Sequence, residues 1–120
     1  MTGSPSIQKV ETLRWRNGHL EMIDQRVLPA RFEYVEYGSA AEVATGIRTM
    51  VVRGAPAIGC AAAYGIALEA IRLRNRTPEE FCRSMDTAFD ILAASRPTAV
   101  NLFWALKRMR AVWELSLIHI

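Results

Sequence analysis

Cysteine is scarce in the sequence: Cys60 and Cys82 are the two present, and they share no metal-type spacing. Each falls within an apolar helical pattern, so both are expected to be buried, reduced thiols of a cytoplasmic protein and not a disulfide framework. A basic block is also absent. The formal net charge is +3 and the isoelectric point about 9.2, but the cations are interspersed with Asp and Glu, which weighs against a nucleic-acid partner. The densest run, Arg72-Leu73-Arg74-Asn75-Arg76, sits where a helix should end, and cations there meet the negative end of the helix dipole. Met1 to Ser6 shows no basic segment followed by an apolar run, so no secretory signal is expected. The most apolar stretch, Ala55 to Ile71, lies between Arg53 and Arg72, contains Glu69 and falls short of the roughly 20 residues that span a bilayer. It predicts a buried helix and no membrane partner. Internal repeats, low-complexity segments, the Walker spacing and the Gly-x-Gly-x-x-Gly fingerprint are all missing. With 51% hydrophobic and 22% charged residues, what is there is an ordinary globular composition able to bury a core.

The pattern predicts an α+β fold, a small N-terminal antiparallel β-meander followed by a helical bundle. Leu13 and Trp15 alternate on one side of Asn17-Gly18, and Leu20 and Met22 on the other; that dipeptide tolerates the positive φ angles of a tight hairpin turn. His19 follows the turn and reads as an exposed turn residue. After Pro29, Phe32 to Tyr37 is aromatic and β-branched and stops at Gly38-Ser39, which predicts a third strand. From Ser39 the period becomes helical: Ser39 can cap, Glu42 stands at the third position, and Val43, Ile47 and Met50 recur at helical spacing to about Val51. A second helix is expected from Pro56 to about Arg74, with Gly59, Ala62, Ala63 and Gly65 allowing close packing. Thr77-Pro78-Glu79-Glu80 starts a third, reaching about Ala94, and a fourth is expected from Thr98. Its apolar stripe of Leu102, Leu106, Met109 and Trp113 is expected to be exposed and to meet a further domain. These elements divide the chain into a meander at 1–38, a helical part at 39–114 and a tail at 115–120.

The tail, Leu115-Ser116-Leu117-Ile118-His119-Ile120, can be encoded by CTG TCT CTT ATA CAC ATC, a transposase-adapter end used in shotgun libraries. It is read as adapter-derived and non-native, with the natural protein interrupted near Glu114 or Leu115, and His119 receives no role. Sequencing the source across Ile120 checks this; genomic sequence that continues the frame overturns it.

The residues that carry chemistry fall in two segments, Val52-Arg53-Gly54-Ala55-Pro56-Ala57-Ile58-Gly59 and Ser95-Arg96-Pro97-Thr98-Ala99-Val100-Asn101-Leu102. In each, an arginine precedes a helix start. A helix N-terminus offers unpaired amide hydrogens and about half a unit of positive charge, and a guanidinium adds a planar donor fork suited to phosphate. Gly54 permits close backbone approach, Pro56 directs the chain into the helix, and Pro97 biases Arg96 towards an extended conformation. Spacing alone leaves two readings open: a phosphate site where the helix starts converge, or a tight Gly-Ala-Pro loop with two surface arginines. Asn101 either lines that site or stabilises the first turn of its helix. Asp86 and Asp90, four apart, read as a solvated face and not an acid–base pair. Tyr64 and Trp104 read as core. No metal and no cofactor are expected.

Glu11-Thr12-Leu13-Arg14-Trp15, Asp24-Gln25-Arg26-Val27-Leu28-Pro29, Ile47 to Gly59 and Arg96 to Leu102 resemble the N-terminal domain of the 5-methylthioribose-1-phosphate isomerase family, from about Val10 to Glu114. The resemblance implies that Arg53, Gly54, Ala55 and Arg96 bind a small sugar phosphate. It also implies a Rossmann-like α/β C-terminal domain that is missing here and a full-length homodimer in the cytoplasm. The implied reaction converts an aldose to a ketose in methionine salvage. Its substrate carries phosphate on the anomeric carbon, so ring opening must be assisted before protons move between neighbouring carbons. The family's acidic aspartate and reactive cysteine lie in the later domain, so no catalytic residue is expected in this fragment, which should be inactive alone. Alternatives are a ribose-1,5-bisphosphate isomerase, a non-catalytic regulatory subunit like those of translation initiation factor 2B, and a free-standing helical interaction module.

Overall fold

The computed structural model describes residues 11–118, so the first ten residues and the tail residues His119 and Ile120 lie outside the described residues. Three strands, β1 (Leu13–Arg16), β2 (His19–Ile23) and β3 (Tyr34–Tyr37), form an antiparallel sheet in that order. Asn17 and Gly18 both take positive φ, 52° and 77°, as the primed turn of a two-residue hairpin requires. The resulting register sets Leu13 opposite Met22 and Trp15 opposite Leu20, and it continues with Met22 opposite Val35 and Leu20 opposite Tyr37. Leu20, Met22 and Tyr37 are buried on the helical side, while Glu21 pairs with Arg14 on the other face. Strand β3 is shorter than the pattern predicted: Phe32 is exposed and outside the ladder, and Glu33 retains one strand-like bond through its carbonyl to the Asp24 amide.

Four helices follow, α1 (Ala40–Arg48), α2 (Ala55–Arg72), α3 (Pro78–Ser95) and α4 (Val100–Ile118). The expected boundary at 114 falls inside α4. Ser39 caps α1 through the Glu42 amide, and the Glu42 carboxylate reaches back to the Gly38 amide. Thr77 and Glu80 form a complete capping box at α3. Helix α1 ends three residues earlier than its apolar spacing suggested. Val51 N–H donates to the Gly46 carbonyl and Met50 N–H to the Ile47 carbonyl, a Schellman ending with Met50 in the left-handed position at φ 70°. Glycine usually signals that ending, and methionine does not.

Short connections, 73–77 and 96–99, turn the chain back after α2 and α3, and Ala40 and Val43 of α1 meet Glu69 and Gly65 of α2 in reverse order, so successive helices run antiparallel. A Cβ on Gly65 of α2 would meet Leu92 of α3 and Val43 of α1. Phe89 of α3 packs on Trp113 of α4, and Asp86 pairs with Arg110. Helices α2 and α4, each antiparallel to α3, are therefore parallel to one another. The core lies between the helices and one face of the sheet, built on Leu20, Met22, Ile47, Met85, Leu92 and Leu102. The apolar stripe of α4 turns into this core: Leu102 and Leu106 are buried and Met109 and Trp113 pack against it, contrary to their expected exposure. Among the described side chains of α4, the exposed large apolar ones lie on other faces, at Val100, Phe103, Trp104 and Val112.

Candidate functional site

Helix α2 starts without a side-chain cap hydrogen bond. Gly54 occupies the N-cap at φ 94° and ψ 132°, a conformation strained for any residue with a Cβ, and its carbonyl accepts the first helical bond from Ile58. Space on the Cβ side of Gly54 is open to 4 Å. Ala55 supplies the first residue of the helix and Pro56 sits in its first turn. Among the described residues the first-turn amides of α2 have no side-chain acceptor, unlike those of α1 and α3.

Arg53, exposed, stands immediately before this helix start and donates through Nη2 to the Gln25 carbonyl at 3.0 Å. The Gln25 amide in turn donates to the Val51 carbonyl at 2.9 Å, so Gln25 brackets the Arg53 segment. Gln25 is itself fixed by its neighbours. Asp24, 5% exposed, accepts from the Arg26 amide, Nε and Nη2 at 3.0, 2.9 and 2.9 Å. Hydrogen bonding from the Arg26 side chain outweighs burial and holds the Asp24 carboxyl below the usual carboxylate range.

Arg96 closes α3 in an extended conformation, φ −146° and ψ 82°, as expected before Pro97. It is half-buried, and its Nη1 is enclosed without a hydrogen-bond partner among the described residues. A turn bonded from Ala99 N–H to the Arg96 carbonyl leads into α4, whose third and fourth amides, Leu102 and Phe103, donate to the carbonyl of Ala99. Alanine has no side-chain acceptor, so this helix also starts without a side-chain cap from that position. It begins two residues later than Thr98 because Pro97 and Thr98 are spent in the turn.

Parallel packing sets the starts of α2 and α4 at one end of the bundle. A Cβ on Gly59 would lie 3.1 Å from the Asn101 carbonyl oxygen, so the two backbones nearly touch within a turn of their starts. Two helix dipoles thus point their positive ends the same way, with Arg53 and Arg96 at that end. The opposite end is closed. There α1 and α3 are capped, and the buried Glu69 accepts from the Ala40 amide at 3.0 Å and from Arg72 at 2.6 Å. Burial works to raise the Glu69 pKa, but these bonds win and it titrates below its ordinary value. Arg74 Nη1 donates to the Ile71 carbonyl, as the cationic helix-end reading predicted.

An open groove of about 330 Å³ runs from this site between α2 and α4, lined among others by Pro56, Cys60, Asn101, Trp104 and Arg108. Asn101 therefore lines the groove. Cys60, expected to be buried, is exposed, and Cys82 is half-buried. Tyr64 and Trp104, expected in the core, are 36% and 62% exposed; Tyr64 stacks on Trp15 and Trp104 lies beneath Arg108. The reason is common to Cys60 and Tyr64: α2 is apolar almost all round, so periodicity does not reveal which face meets the core. Asp86 and Asp90 are exposed, in keeping with a solvated face. What the sequence did not disclose was the support of Arg53 by Asp24, Gln25 and Arg26, which lie in a loop without periodic signal. Among the described residues no group of three His, Cys, Asp or Glu could hold a metal ion, and no helix is long and apolar enough to cross a membrane.

A family model described as the initiation factor 2 subunit family matches residues 51–119. The chain is 74% identical over 107 residues to a methylthioribose-1-phosphate isomerase of Albidiferax ferrireducens, covering 89% of this chain and 30% of that protein. It is 54% identical over 103 residues to the enzyme of the same name from Pseudomonas paraeruginosa, covering 86% and 28%. Among solved structures, 5-methylthioribose 1-phosphate isomerase from Pyrococcus horikoshii superposes with a TM-score of 0.86 at 43% identity over 95% of this chain and 32% of that one. The delta subunit of translation initiation factor eIF-2B from A. fulgidus gives 0.80 at 39% identity, covering 88% and 31%. The chain thus spans under a third of the length of the relatives it matches.

Proposed function

The chain belongs to the initiation factor 2 subunit family, and on that premise we propose that it is the N-terminal, phosphate-gripping part of a cytoplasmic methylthioribose-1-phosphate isomerase. The observation that carries the proposal is the pair of parallel helix starts without side-chain caps, each with an arginine beside it. In this reading the amides of α2 and α4 bind phosphate oxygens, with Gly54 and Ala55 giving close backbone approach. Arg53 and Arg96 supply the balancing charge and a planar fork. Held by its phosphate, the sugar has its reacting carbons fixed for ring opening and proton transfer by groups of a following domain in a homodimeric enzyme.

Sequence similarity supports the isomerase over the regulatory subunit, since identity is 74% to an isomerase and 39% to the delta subunit. The fold supports both, with TM-scores of 0.86 and 0.80. A thermal-shift comparison separates them. The isomerase reading predicts that 5-methylthioribose 1-phosphate raises the melting temperature more than ribose 1,5-bisphosphate does, and that Arg53→Ala and Arg96→Ala each abolish the rise. Greater stabilisation by the bisphosphate transfers the assignment to that substrate, and no response to either ligand favours the binding scaffold. The 120-residue chain is predicted to show no turnover of 5-methylthioribose 1-phosphate above a blank, because the groups proposed to move protons lie outside it.

A further inference from the structure

Arg53 is exposed and flexible by residue type, yet its guanidinium is held by a main-chain carbonyl twenty-eight residues away in sequence. That carbonyl belongs to Gln25, in a turn that no helix or strand supports. The turn is fixed by a short chain of polar contacts. Asp24 N–H donates to the Glu33 carbonyl at 2.7 Å, tying the turn to the residue before β3, and Gln25 N–H donates to the Val51 carbonyl at 2.9 Å, tying it to the segment before α2. The Asp24 carboxylate, 5% exposed, takes three bonds from Arg26, two of them forming a fork on both oxygens.

A carboxylate this enclosed needs that partner, since burying it unpaired would be costly. Arg26, whose side chain is 48% exposed, contributes its charge there and leaves none of its named bonds to the helix starts. The consequence is geometric. With the Asp24–Arg26 fork closed, the Gln25 peptide presents its N–H to Val51 and its carbonyl to Arg53, spanning the loop that leads into Gly54.

We propose that Asp24 and Arg26 are positioning residues for phosphate binding, acting through the Gln25 carbonyl to preset the Arg53 guanidinium beside the start of α2. This rests on the phosphate-clamp reading above. A preset guanidinium spends less conformational entropy on capture than a free one, so the pair raises affinity without touching ligand.

The test uses the 120-residue chain and two readouts. First, nitrogen-detected NMR of the Arg53 side chain reports rotation about its Cζ–Nε bond. Slow rotation in the parent, made fast by Asp24→Asn or Arg26→Gln, is the expected result. Unchanged rotation overturns the proposal. Second, titration with 5-methylthioribose 1-phosphate should weaken about tenfold in Asp24→Asn, the loss expected for one charge-assisted hydrogen bond, and lose nothing further when Asp24→Asn is added to Arg53→Ala. Additive losses assign Asp24 to general stability and overturn the proposal. If Arg53→Ala binds like the parent, the clamp reading itself falls and the proposal with it. If Arg53→Ala weakens binding and Asp24→Asn does not, the positioning proposal alone falls. Should Asp24→Asn fail to fold by circular dichroism, Arg26→Lys carries both readouts, because it keeps a cation on the Asp24 carboxylate while breaking the planar fork.

Discussion

Gly54 combines two demands that are separable by substitution. Its φ of 94° excludes side chains on backbone grounds, while the space where a Cβ would point is open. Gly54→Ala should therefore cost about 1–3 kcal/mol through the backbone alone, measurable by urea unfolding. A further loss of sugar-phosphate affinity is expected, because the new methyl group stands at the open helix start. Tyr37 illustrates a different control. Burial pushes its phenol up to about 12 from 10.0, so between those values the unfolded chain ionises first and the folded state holds the extra proton. Stability from this group is full below pH 10 and lost as pH rises towards 12, amounting to about 2–3 kcal/mol at the upper limit. Comparing the alkaline unfolding curves of the parent and Tyr37→Phe checks it: the variant should lack that part of the slope. At this scale the sequence was readable where a residue's chemistry is local, as at Asn17-Gly18 or Arg96-Pro97. It was unreadable at Cys60 and Tyr64, whose exposure depends on which face of an apolar helix meets the core.

Elements are placed by close approaches at small residues. A Cβ on Gly46 of α1 would lie 2.6 Å from Tyr37 Oη and 2.8 Å from Met22 Cε, so the helix rests directly on the sheet. Alanine is the better helix former by about 1 kcal/mol, but overpacking costs about 1–3 kcal/mol. Since Tyr37 and Met22 are both buried, the clash should win and Gly46→Ala should melt several degrees lower; an unchanged or higher melting temperature contradicts this packing. Gly59 does the same between α2 and α4, where its contact is the Asn101 backbone. Helix starts at Ser39 and Thr77 were legible because the capping side chains are in the sequence, and both caps formed. The end of α1 and the start of α4 were not. Met50 ends a helix in the conformation usually given to glycine, and the 96–99 turn consumes two residues that could have been helical.

Over the whole molecule, the antiparallel order of four helices sorts their ends. Capped starts and the buried Glu69 gather at one end, and starts without side-chain caps gather at the other with Arg53 and Arg96. Sequence reading singled out Arg53 and Arg96 and set the two helix starts to within two residues, yet their convergence depends on α2 and α4 being parallel, which arises only from the packing of α3 between two short connections. The claim that one phosphate is gripped by both starts is tested most directly by backbone amide NMR during titration with 5-methylthioribose 1-phosphate. Ala55, Ala57 and Ile58 are expected to shift together with Val100, Asn101 and Leu102 along a single binding isotherm. Shifts confined to one helix start, or following two separate isotherms, would contradict it.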